Sequence, residues 1–205
     1  MSSLVESLES RQLLSVTVAT LRADAQAFRA DANAIIAEFR NEVTKPLNAD
    51  VKTLRADLKG IGIEADRTVG LRLLADLRVG SKLFSKSSHA LLALANKDVN
   101  KIVAAYTKLA HKPGNTVFQA KLAAAIDSLQ TDVLPAVQRV LDAESSLQSI
   151  ATADLNALAA NHPGDDKLQN DVQSTINDLA NGVDAVQAAV NVAQAQASTV
   201  IDDVQ

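Results

Sequence analysis

A chain of 205 residues that is 47% apolar can bury a sizeable core, either as one elongated domain, the expectation here, or as two small ones. It has no Cys, which excludes disulfides, thiol catalysis and thiolate metal sites. The net charge of −4 divides unevenly: residues 1–112 hold 17 Lys/Arg against 12 Asp/Glu, while 113–205 hold 3 against 12, so the two halves should attract each other. Aromatics are limited to Phe28, Phe39, Phe84, Phe118 and Tyr106, so Leu, Val, Ile and Ala must fill the core. Four Pro, seven Gly and little strand-type alternation point to an all-α class. No window reads as a membrane span: the uncharged run 185–201 carries Gln187, Asn191, Gln194 and Gln196.

Residues 1–15, MSSLVESLESRQLLS, do not share the period that follows. Glu6 and Glu9 precede the lone Arg11, and the uncharged run 12–21 is short for a secretory signal, so a disordered leader is expected. Within it Leu8, Glu9, Arg11, Leu13 and Leu14, flanked by Val5, Glu6 and Ser15, are in the order of a known sorting signal. The segment resembles the LEPR-XLL sorting motif near the start of many surface and exported proteins of certain bacteria. Ser10 stands where that motif most often has Pro. The resemblance implies an exported or surface location and says nothing of residues 16–205.

A first helix is predicted over 16–59. Leu21, Ala25, Phe28, Ala32, Ile35, Phe39 and Val43 form its apolar stripe, which continues through Leu47, Val51, Leu54 and Leu58. Pro46 removes a backbone donor and predicts a kink. Gly60 and Gly62 end the helix, and a second spans 64–111. Leu92, Ala95, Val99, Ile102, Tyr106 and Leu109 keep one phase there, but Leu73, Leu74 and Leu77 keep another. The polar joint between them, GSKLFSKSSH at 80–89, predicts a bend, a bulge or a short loop.

Pro113-Gly114 and Pro163-Gly164 each stop a helix, Gly taking the left-handed conformation, and Asn115 or Asp165 can cap the next. The third helix is then 116–160, kinked at Pro135, and the fourth 165–204. The fourth carries the cleanest stripe: Leu168, Val172, Ile176, Leu179, Val183, Val186, Val190, Ala193, Ala197, Val200 and Val204. An offset of 50 residues pairs Phe118 with Leu168, Leu122 with Val172 and Leu129 with Leu179, a weak repeat of helix-plus-turn units. Short connections force antiparallel neighbours, so residues 16–205 should form an elongated up-down-up-down four-helix bundle with coiled-coil-like packing. The other arrangement that fits is a pair of antiparallel coiled-coil hairpins.

Little in this pattern suggests chemistry. His111 and His162 sit at helix ends, where the dipole favours them, and His89 falls in the Ser-rich joint. No His has a Glu three residues before it, as a carboxylate-bridged metal centre in a bundle requires, so neither metal nor cofactor is expected. Glu38/Glu42 read as a solvated helix face, and Asp165/Asp166 as charge favoured at a helix start. The remaining constellation is a basic stripe along the second helix: Lys82, Lys86, His89, Lys97, Lys101, Lys108 and Lys112.

Such a stripe suits anionic lipid, surface polysaccharide or nucleic acid. The competing reading is a solvated face beside the acidic fourth helix, with Asp171, Asp178 and Asp184. That reading is favoured, because the stripe lacks the Arg forks and aromatic stacking typical of nucleic-acid surfaces. The expectation is therefore a non-enzymatic structural or interaction module, exported or surface-associated, that self-associates or meets cell-envelope components. The alternative is a reversible lipid- or membrane-surface binder whose amphipathic helices turn their stripes to lipid.

Overall fold

A computed structural model describes residues 16–60 and 67–204. The expectations for the leader, for Gly62 and for a helix start at Glu64 lie outside the described residues. The described chain is all α-helical: α1 (Val18–Glu38), a π-helical segment π1 (Phe39–Thr44), α2 (Lys45–Gly60), α3 (Arg67–His111), α4 (Thr116–Asn161) and α5 (Asp166–Asp202). None of these helices is long and apolar enough to cross a membrane.

The ends follow from capping chemistry. The Thr17 hydroxyl accepts from the Thr20 N–H at 3.1 Å. Asn115 Oδ1 accepts from the N–H groups of Val117 (3.1 Å) and Phe118 (3.2 Å), and Asp165 Oδ1 from that of Leu168 (2.9 Å). Gly114 takes the left-handed conformation, with φ 83°, whereas Gly164 does not. The two turns are therefore alike in their caps and unlike in their backbone.

Every helix buries one stripe. On α3 the buried stripe runs through Leu73, Leu77, Gly80, Phe84, Ser88, Leu91, Ala95, Val99, Ile102, Tyr106 and Leu109, with Asp98 and Ala105 buried beside it. That is ten steps over 36 residues, the 3.6-residue period of an α-helix, and it runs unbroken through 80–89. The predicted break there does not occur, because Gly80 and Ser88 are inward-facing members of the stripe. On α5 the innermost line likewise passes through Thr175 and Gly182, and Ile176 and Val183, expected in the stripe, flank it half-buried.

The first stripe, Leu21 to Leu58, also takes ten steps but covers 37 residues. The extra residue is housed in π1, where the Lys45 N–H donates to the Arg40 carbonyl, five residues back. Pro46 has no N–H to offer the Glu42 carbonyl, so the distortion expected at this proline is a π turn just before it. Pro135 is exposed and lies inside α4, which continues on both sides of it.

The contacts gather into two compact units. The first consists of residues 16–34, 89–138 and 190–204, with Phe28, Ala95, Ile102 and Val200 in its core. Tyr106 Oη donates to the Val16 carbonyl at 2.5 Å, and Arg29 Nη2 to Asn100 Oδ1 at 2.7 Å.

The second unit consists of residues 35–60, 67–88 and 139–189. The rings of Phe39 and Phe84 stack with centroids 3.7 Å apart. Two glycines permit close approach of its helices. A Cβ on Gly80 would meet Leu147 Cδ1 at 2.5 Å, and one on Gly182 would strike the carbonyl oxygen of Glu42 and lie 2.9 Å from its carbon. The carbonyl that Pro46 leaves without a donor is thus the one packed against Gly182.

Candidate functional site

The basic stripe lies on α3, as the sequence predicts, and its lysines are exposed. In the first unit Lys97 stands 3.8 Å from Asp132 on α4, and Lys101 is 2.8 Å from Asp98 one turn back on α3. Asp98 is fully buried, and the Ser128 hydroxyl lies within reach of both Asp98 (3.1 Å) and Asp132 (3.3 Å). Lys101 and Lys108 also border, with Lys121, an open groove of about 460 Å³ floored by Ala104, Ala105, Ala124 and Ala125.

The sequence reading set the stripe beside Asp171, Asp178 and Asp184 as a solvated face; in the structure Lys97 and Lys101 are engaged by acids of α3 and α4. Asp171 instead sits with Asp57 on either side of Lys167; hydrogen bonds to Asp57 and then Asp171 raise the Lys167 ammonium, and a hydrogen bond with Asp57, followed by the one from Lys167, holds the Asp171 carboxyl below its ordinary range. In the second unit Lys82 and Lys86 are exposed on α3 together with Arg78. Between them Val79 is 65% and Leu83 47% exposed. Lys112 lies just beyond the end of α3 and is exposed.

The sequence reading missed a set of carboxylates that face one another between helices. Glu144 on α4 is 2% exposed, and its Oε1 has no hydrogen-bond partner among the described residues. Burial, and secondarily the charge of Asp184 on α5, raise its pKa to about 7. Asp154 is buried 3.5 Å from Arg72; burial and a hydrogen bond with Asp76 raise it despite the guanidinium. Burial and the charge of Asp178 raise Asp50.

In the first unit Asp203 is raised to about 6, by burial first and then by Asp24. A search for apolar stripes cannot detect such pairs, since each acid sits at the edge of its own helix's stripe and only the neighbour's register reveals what it faces.

A second open groove, of about 510 Å³, is lined by Ser145, Gln148, Ser149, Thr152, Asn156 and Ile176, among others. Neither groove carries a His or a carboxylate. Among the described residues no three His, Asp or Glu are grouped so as to hold a metal ion. His111 closes α3 and His162 follows the end of α4, the helix-end positions expected of them. No protein-family model matches the chain, and neither a curated protein nor a solved structure matches it significantly.

Proposed function

We propose that this chain is a non-enzymatic structural or interaction module acting at the cell surface or after export. The observation that carries the first half is where the ionisable side chains are used. Glu144, Asp154, Asp50 and Asp203 are engaged with other acids between helices, while the grooves offer hydroxyl, amide, ammonium and methyl groups. What supports the address is the LEPR-XLL-like run Leu8, Glu9, Arg11, Leu13 and Leu14. Self-association and cell-envelope components are the partners this reading favours; nucleic acid is not, for want of Arg forks and stacking aromatics.

Fractionation of the native cell tests the address. Deleting residues 1–15 should leave helicity and melting unchanged and alter where the protein accumulates. If the truncated and full-length chains both remain in the cytosol, the address is wrong. The second reading, reversible binding to a lipid surface, is favoured by one particular feature: aliphatic side chains left in water among the lysines of α3.

A further inference from the structure

We infer that the outward face of α3 in the second unit, centred on Val79, Lys82, Leu83 and Lys86, is a docking surface for anionic lipid bilayers, used with the bundle closed. The inference rests on the lipid-surface reading and replaces its opening bundle with a fixed patch. Gly80 and Phe84 face the core, Gly80 against Leu147 and Phe84 against Phe39, and this fixes the rotation of the helix. At about 100° per residue, Val79, Lys82, Leu83 and Lys86 then share an outward arc about 100° wide. Val79 and Leu83 are one turn apart and are 65% and 47% exposed. Lys82 and Lys86, also one turn apart, are exposed beside them.

Charge selects the occupant. From Leu77 to Ser88 the helix carries Arg78, Lys82 and Lys86 and neither Asp nor Glu. A bilayer surface rich in anionic headgroups complements that charge and also offers an acyl boundary for Val79 and Leu83. Nucleic acid offers the charge but little apolar surface for the aliphatic pair. The two lysines can keep their ammonium groups among the headgroups while their stems lie along the apolar boundary.

The chain has no Trp, so a single introduced indole reports on one place. L83W should show a blue-shifted emission and protection from an aqueous quencher when vesicles of equal parts phosphatidylcholine and phosphatidylglycerol are added. V192W, whose parent side chain is 55% exposed in the first unit, should not. Binding of the unsubstituted chain, followed by flotation, should be lost in high salt and with pure phosphatidylcholine. K82E/K86E should weaken it at least about twentyfold, about fivefold for each positive charge removed. All four substituted side chains are exposed, so unchanged melting of each variant confirms an intact fold.

Flotation that survives K82E/K86E and leaves L83W emission unshifted overturns the patch while keeping the lipid-surface reading. No flotation with any vesicle overturns both. A blue shift of L83W that grows with protein concentration and needs no vesicles makes the face a self-association surface and overturns the lipid assignment.

Discussion

The two units bury charge on different terms. In the first, the fully buried acid is Asp98, and a lysine and a hydroxyl stand beside it: Lys101 at 2.8 Å and Ser128 at 3.1 Å. In the second, Glu144 goes inside near Asp184, Asp154 goes inside against Asp76 with Arg72 3.5 Å away, and the buried polar Ser88 and Thr175 belong to the same unit. A buried carboxylate beside an ammonium is tolerated ionised, whereas one beside another carboxylate is tolerated best with a proton on it. The second unit therefore answers to pH through Glu144 in its core, and the first through Asp203 near its end.

The largest way to break this contrast is to remove packing that both units share in kind. Phe84→Ala takes away a wholly buried ring and leaves Phe39 without its stacking partner, so urea denaturation should register a loss of about 3 to 5 kcal/mol. Amide exchange resolved along the chain should then accelerate most at 35–60 and 139–189. Equal acceleration at 95–110 would show that the two units respond as one.

Next in size is the effect of pH. Glu144 titrates at about 7 in the folded chain against an ordinary 4.5, so between those values the folded state holds a proton that the unfolded state has released. Its contribution is fully present below pH 4.5 and disappears as pH rises through about 7, a decline of about 3 kcal/mol at about 1.4 kcal/mol per pKa unit. Glu144→Gln should flatten that slope and make the chain more stable than the parent at pH 8. Asp98→Asn, the same kind of change in the first unit, should have the opposite sign near neutrality and cost about 1 to 3 kcal/mol, because it strips the charge Lys101 pairs with. Paired denaturation curves at pH 5 and pH 8 decide both, and a stabilised Asp98→Asn variant would erase the distinction between the units.

The smallest effect should be the same in the two. Asn115→Ala caps nothing at the start of α4 and Asp165→Ala nothing at the start of α5, and each should lower stability by about 1 kcal/mol in thermal melts. A markedly larger loss at either site would point to a turn that organises its unit beyond the cap itself.

Residues whose roles are local were legible in the sequence: the all-α class, the helix end at His111 and, to within one residue, that at Asn161, the caps Asn115 and Asp165, and the stripe from Leu21 to Leu58. Gly80, Ser88, Thr175 and Gly182 were not, because a stripe sought among large apolar residues skips the positions where helices come closest and only small side chains fit. Reading past them made a break of 80–89 and placed Ile176 and Val183 too deep. The basic line on α3 was legible, but its partners and the exposed Val79 and Leu83 within it were not, since both depend on which way the helix is turned. The paired acids are the extreme case, invisible until two helices are set side by side.

The π turn also bears on how the chain length can vary. From Ile35 the stripe advances by four residues four times in succession, to Phe39, Val43, Leu47 and Val51, and in a regular α-helix that would rotate it by about 160° off its own face. An insertion into a bundle helix ordinarily carries everything downstream round by about 100° per residue and out of the core. Here one surplus residue is confined to Phe39–Thr44, and α2 continues on the same face as α1. Taking a single residue out of this segment would return the first stripe to 36 residues for ten steps, the count kept by α3, α4 and α5. Among the described helices, Phe39–Thr44 is the segment whose backbone already holds one residue more than the α-helical period.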